Sequence, residues 1–363
     1  MPVKFEKKLI ADERYESAGV FDVNNDGIPD IVSGAYWYAG PDFTDRHFIG
    51  EVQTEGEYFD DFSTIPMDVN GDGWTDFVTG GWWGNTLRWR ENPGERGGEW
   101  PQHVIAECGN VETTRAWDVD GDGQLELVPN ARNGPLVVHK LILDDAGRGT
   151  GRFSSHTIHS AAQGHGLGFG DVNGDGRGEF VLAKGWLEAP DDPFAGEWAF
   201  HGDFDLGSAS IPVLVVDVNG DGLNDIVVGQ SHQYGLDWWE QGKGRDGKPT
   251  WKRHPIDPHN SQYHDLHWVD IDGDGEHELV TGKRYRAHCG SDPGASDPAG
   301  VYYFKWDGES FSKQVIDWGP ARVGTGAGIM FAVADLRGTG RLDIVAPGKD
   351  GLYVFLNEGS ERA

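Results

Sequence analysis

Residues 68–80 read DVNGDGWTDFVTG, an acidic nine-residue loop running straight into a β-branched and aromatic strand. Asp68, Asn70, Asp72 and Asp76 place a side-chain oxygen at positions 1, 3, 5 and 9, and Gly73 at position 6 permits a sharp turn. Oxygens at alternate positions suit a hard divalent cation, Ca2+ above all, with a main-chain carbonyl at position 7. An EF-hand begins the same way but needs a bidentate Glu at position 12. Here Thr79 stands at that position, and a strand follows where an EF-hand would have a helix.

The pattern recurs along the whole chain. Equivalent oxygens fall on Asp22, Asn24, Asp26 and Asp30; on Asp118, Asp120, Asp122 and Glu126; on Asp171, Asn173, Asp175 and Glu179; on Asp217, Asn219, Asp221 and Asp225; and on Asp270, Asp272, Asp274 and Glu278. A seventh copy, DLRGTGRLD from Asp335, replaces two ligands with Arg337 and Thr339, so an ion is expected in six loops and not in this one. Metal-free Asx turns are the alternative, but they give no reason for an oxygen at every second position in six copies.

Consecutive loops start 46, 50, 53, 46, 53 and 65 residues apart, the length of one four-stranded propeller blade with variable connections. The expected fold is therefore all-β, a seven-bladed β-propeller formed by residues 1–363 as one domain. After the seventh loop only three strands' worth of chain remains, while the N-terminal KFEKKLIADE matches the missing outer strand. Ring closure by the N-terminal strand is the expectation, since it would remove an open sheet edge.

Composition agrees with a β fold and narrows the partners. Gly at 55 and Trp at 15 of 363 residues describe tight turns and large rigid side chains. Sixty acidic against thirty basic residues give a net charge of -30, which repels nucleic acid and anionic membranes. The N-terminus lacks the apolar core of a signal peptide, and no stretch approaches the length of a membrane span. Two cysteines, Cys108 and Cys289, cannot form a disulfide framework. A cytoplasmic location is expected, and a homodimer is compatible with everything above.

Propeller topology tells where chemistry can sit. If the acidic loops join strands one and two at one face, the start of strand one and the end of strand two ring the channel mouth at the other. Six residues before each loop stand Glu16, Phe62, Glu112, His165, Ile211, His264 and Ile329. Fifteen after each first Asp stand Trp37, Trp83, Asn133, Trp186, His232, Tyr285 and Asp350. His165, His232, His264 and His288 thus approach one entrance, where they are candidates for a transition-metal centre (Zn2+ or Mn2+, with His232 and His264 as ligands) and for acid–base catalysis. Arg284, Tyr285 and His288 are further catalytic candidates. Trp37, Asp60, Trp83, Glu112, Arg115, Arg132, Lys184, Trp186 and Lys283 are candidates for binding a small sugar or oligosaccharide, the tryptophans by stacking on sugar faces. His47, His103, His156, His254 and His277 fall on outer strands or loops and are read as structural. No nucleophile elbow, Walker loop, dinucleotide fingerprint or H-E-x-x-H motif appears.

The repeated DVNGDGxxD followed by a β-branched strand resembles the FG-GAP or VCBS repeat of integrin-like propellers. GHGLGFGDVNGDGRGEFVLAKGWLEAP (164–190), SQYHDLHWVDIDGDG (261–275) and GKRYRAHCG (282–290) also resemble propellers related to the dehydratase domain of fungal aldos-2-ulose dehydratase. This second resemblance implies a lyase that removes water from a keto sugar such as 1,5-anhydrofructose, with a metal ion in the propeller and His165 as the base. The cupin-like isomerase part of the fungal enzyme has no counterpart here. The same groups would serve a polysaccharide lyase cleaving uronate glycosides by β-elimination, or a non-catalytic, calcium-stabilised sugar-binding or interaction propeller.

Overall fold

The computed structural model describes residues 3–245 and 247–360. They form seven four-stranded antiparallel sheets, one per repeat, and a two-stranded ribbon at residues 54–59: a seven-bladed β-propeller. The innermost strands are Gly19–Phe21, Ile65–Met67, Val111–Trp117, Leu167–Gly170, Leu214–Val216, Tyr263–Val269 and Ala332–Ala334. Neighbouring inner strands run parallel and close together, as the bridge between Gly168 and Val213 shows. A Cβ on Gly168 would lie 2.2 Å from the Val213 carbonyl oxygen, so glycine is required at this approach.

Each second strand is packed on both faces by adjacent blades and reads as a continuous apolar run. All of Asp76–Gly80 and all of Asp225–Gly229 are buried. The fourth strand of the seventh sheet comes from the other end of the chain: Lys4–Ala11 pairs antiparallel with Leu352–Gly359, from Lys4 opposite Gly359 to Ala11 opposite Leu352.

The acidic loops are held by two recurring bonds. In all seven, the position-6 glycine N–H donates to the position-1 carboxylate, at 2.6–3.1 Å. The seventh loop keeps this bond although Arg337 and Thr339 occupy two of its ligand positions, so the turn itself does not need the full ligand set. At position 9 the carboxylates of Asp30, Asp76, Glu126, Glu179, Asp225, Glu278 and Asp343 are all fully buried. In the first six loops they accept the position-2 N–H at 2.8–3.2 Å. The second oxygen of the shorter aspartates accepts a further N–H near the end of the third strand, from Gly40, Asn92, Gln241 and Asn357. One side chain therefore ties together a loop and two strands.

A second repeated device corrects part of the binding expectation. Trp37 stacks on His47 and Trp186 on His201, with ring centroids 4.1 and 4.3 Å apart. Trp89–His103 and Trp238–His254 repeat the pairing at 4.5 Å. The outer-strand histidines also contact acidic partners, His201 with Glu188 at 2.7 Å and His254 with Glu240 at 2.8 Å. Trp37 and Trp186 thus fasten third strands to fourth strands, each with one ring face covered by a histidine; Trp186 is buried and Trp37 half-buried.

Removing residues 1–11 would leave Leu352–Gly359 as an unpaired edge. The truncated chain is expected to melt several degrees lower than the full chain and to self-associate, as read by differential scanning calorimetry and light scattering. An unchanged melting temperature with no association would show that the terminal strand contributes little.

Candidate functional site

Four side chains from four blades meet at the end of the channel opposite the acidic loops. Glu112 and His264 stand at the start of the inner strands Val111–Trp117 and Tyr263–Val269. His165 precedes the inner strand Leu167–Gly170, and His232 follows the second strand Asp225–Gly229. One ligand atom from each lies within 4.8 Å of all the others. The Nε2 atoms of His165 and His232 are 3.2 Å apart. Glu112 Oε1 is 3.4 Å from His165 Nε2 and 3.2 Å from His264 Nε2. Four ligands at metal–nitrogen distances of about 2.05 Å in a tetrahedron would be separated by about 3.3 Å.

The outer nitrogens fix the tautomers. His165 Nδ1–H donates to the Ala209 carbonyl at 2.7 Å, and His232 Nδ1–H donates to Asp292 Oδ2 at 2.8 Å. Both rings, when neutral, therefore turn bare Nε2 lone pairs toward each other, an arrangement that is repulsive unless a cation or proton lies between them. Burial and the neighbouring His165 and His264 push His232 strongly toward the neutral form. Burial likewise lowers His264 to about 4, against the opposing pull of Glu112. Burial alone would raise Glu112, but its close contacts with His165 and His264 and the charge of Arg284 hold it well below the usual carboxylate range. The centre thus brings three imidazoles and one carboxylate together, with His232 and His264 shifted toward the neutral form and Glu112 toward the ionised one.

A buried ionic network backs this cluster. Arg284 donates to Glu112 at 3.3 Å and to Glu16 at 2.9 Å, and Lys349 donates to Glu16 at 2.9 Å. Burial opposes the charge on Glu16, yet Arg284 and Lys349 hold its pKa at about 2. Arg284 is 2% exposed. Its guanidinium is enclosed between Glu16 and Glu112 and not open to solvent, contrary to the expectation that it faces substrate.

Over the cluster folds the segment after Tyr285. Arg286, His288 and Cys289 all adopt the left-handed region, with φ of 54°, 48° and 53°, a run of strain typical of functional sites. It lays the His288 ring on His232, centroids 4.1 Å apart and planes within 10°. Asp292 accepts from both rings, from His288 Nδ1 at 2.7 Å through Oδ1 and from His232 through Oδ2. The His288 side chain remains 51% exposed, with Nε2 free of the Asp292 bond. Tyr285 and Lys349 line a cavity of about 390 Å3 whose wall mixes the bases Arg14, Arg286 and Arg322 with the acids Asp12, Glu57 and Asp350.

Other expected binding residues have structural partners. Asp60 accepts the N–H groups of Trp83 and Gly84 at 2.8 and 2.9 Å, shaping that turn. Arg115 pairs with Asp265 at 2.7 Å inside the channel, and Lys283 donates to the carbonyls of Gly294 and Asp297. Trp83 packs on Tyr58, over whose ring Lys349 sits at 4.2 Å. Arg132 and Lys184 are exposed at the ends of second strands on the same rim as His232. Asp292 and Lys349 escaped sequence reasoning. Asp292 lies in the long insert after Tyr285, and Lys349 is one residue before the counted Asp350.

Comparison with known proteins supports the architecture. The sequence matches the FG-GAP-like repeat family over residues 68–128 and 217–281. A chain of the crystal structure of BBS1N in complex with ARL6DN, soaked with lead, is similar with a TM-score of 0.54 and 10% identity, covering 99% of this chain and 98% of that one. Identity this low speaks for the fold alone. No curated protein matches the sequence. The chain is a seven-bladed β-propeller carrying FG-GAP-like repeats.

The Glu16 network yields a stability test. Glu16→Gln would leave Arg284 and Lys349 buried with no full counter-charge, so unfolding free energy is expected to fall by about 3 kcal/mol, read by urea denaturation. A change under about 0.5 kcal/mol, the usual range for an ordinary surface site, would refute the network's role.

Proposed function

We propose that His165, His232, His264 and Glu112 hold a divalent transition ion such as Zn2+ or Mn2+, and that the chain is a carbon–oxygen lyase that removes water from a keto sugar. The observation that carries this reading is the pair of Nε2 atoms, 3.2 Å apart, whose outer nitrogens are both engaged as donors. A bound ion would supply electrophilic stabilisation for charge developing on a substrate oxygen.

Elimination beside a carbonyl needs a base for the α-proton and an acid for the departing hydroxyl; the products are an unsaturated keto sugar and water. With His165 turned into the cluster, the base is His288. Its Nδ1–H is held by Asp292, and its Nε2 is left to take the proton from carbon. Asp292 also orients His232, so one carboxylate aligns base and metal ligand. Tyr285, which opens the segment that carries His288, would protonate the leaving hydroxyl. Arg284, through Glu112, positions the cluster.

A second reading, β-elimination from a uronate, is favoured by one observation: Arg14 and Arg322 line the cavity that Tyr285 lines, among Asp12, Glu57 and Asp350, and would neutralise a substrate carboxylate. Both reactions give conjugated products that absorb in the ultraviolet. The Zn2+- or Mn2+-loaded protein is expected to generate such absorbance from one of the two substrate classes, and His288→Ala to reduce kcat by about 100-fold or more while metal content is retained. No product from either class with the metal-loaded parent would overturn the lyase reading.

A further inference from the structure

The six intact acidic loops share one ligand spacing in sequence, yet the atoms meeting inside them differ. In the third loop Lys140 Nζ lies 2.5 Å from Asp120, 2.6 Å from Asp122 and 3.2 Å from Glu126. In the sixth loop Lys305 Nζ lies 2.6 Å from Asp272, 2.5 Å from Asp274 and 3.0 Å from Glu278. These carboxylates occupy positions 3, 5 and 9, the set that would otherwise surround a divalent ion. Each lysine comes from the third strand, where the register pairs Leu127 with His139 and Leu279 with Phe304, setting Lys140 beside Glu126 and Lys305 beside Glu278.

The remaining loops lack this arrangement. By the same register Ala39, Glu91, Glu188 and Glu240 stand beside position 9 in the first, second, fourth and fifth blades, and none is basic. Position 3 changes in step. It is Asn24, Asn70, Asn173 and Asn219 in those four loops, but Asp120 and Asp272 in the two that meet a lysine. The added negative charge thus accompanies the added positive one.

The fourth loop gives the sharpest contrast because it, too, has Glu at position 9. Glu179 is fully buried, and its Oε2 accepts the Val172 N–H at 2.8 Å. Its Oε1 is buried with no hydrogen-bond partner and no ammonium beside it; Glu126 Oε1 likewise accepts no hydrogen bond but lies 3.2 Å from the Lys140 ammonium, and Glu278 Oε1 accepts from Lys305 at 3.0 Å. Arg177 reaches Asp175 and Asp191 on the exposed side of this loop. A buried carboxylate oxygen beside Asp171, Asn173 and Asp175 marks a place for a hard cation.

We propose that Lys140 and Lys305 are fixed cations that take the place of calcium in the third and sixth loops, whereas the fourth loop, Asp171 to Glu179, binds Ca2+. Two blades are then assembled independently of the metal supply, and their stability is insensitive to chelators. This goes beyond the catalytic reading and does not depend on it.

The test is the calcium stoichiometry of the full-length protein by equilibrium dialysis, with the melting temperature measured with and without Ca2+. Lys140→Met and Lys305→Met are each expected to bind one Ca2+ more than the parent, and calcium should raise their melting temperatures further than the parent's. Glu179→Gln is expected to bind one fewer, and Glu126→Gln in the parent to leave the number unchanged. The melting data keep the test valid if a methionine variant folds only with calcium. Three results would each overturn the proposal: a parent that binds no calcium, lysine variants with the parent's stoichiometry and calcium response, or loss of one Ca2+ on Glu126→Gln.

Discussion

The buried carboxylate at position 9 of each repeat is the constraint on which the rest of the molecule depends. It sits at the start of a strand that both neighbouring blades cover, where an unpaired charge would be strongly destabilising. In six blades it accepts the N–H of position 2, and in the aspartate blades it also takes an N–H near the end of the third strand. Loop and strands are therefore fixed in one geometry at one face of every blade. That geometry fixes where each inner strand ends and each second strand starts, and so which side chains reach the opposite mouth.

The molecule consequently has two faces with different electrostatics. At one, carboxylates crowd together and are balanced by loop amides, by Lys140 and Lys305, and by the Ca2+ that the fourth loop is proposed to bind. Much of the net charge of -30 belongs to this scaffold. At the other, three buried or half-buried acids are paired: Glu16 with Arg284 and Lys349, Glu112 with His165, His264 and Arg284, and Asp292 with His232 and His288. The acidic repeat fixes the frame, and the mouth at its far end gathers the groups suited to chemistry.

Much of this could be read from the residues alone, because repeat spacing converts into position. Counting six back from each loop reached Glu112, His165 and His264, and counting fifteen forward reached His232, four residues that do meet. Counting failed where a side chain's environment depends on its neighbours. Trp37 and Trp186 were counted onto the rim, but each is held by an outer-strand histidine whose pairing no column reveals. Asp292 lies in an irregular insert with no equivalent in other blades, so repetition gave no address for it. Lys140 and Lys305 lie a variable distance beyond their loops, 22 and 35 residues from the first Asp, and only strand register brings them back.

The central functional claim is that three histidines and one glutamate from four blades form a single metal centre. Zinc K-edge X-ray absorption of the protein loaded with one equivalent of Zn2+ addresses this directly. The account predicts four nitrogen or oxygen ligands at about 2.0–2.1 Å with the outer-shell scattering of three imidazoles, reduced to two in His232→Ala. An oxygen-only shell, or a spectrum that His232→Ala leaves unchanged, would place the ion elsewhere and contradict the account.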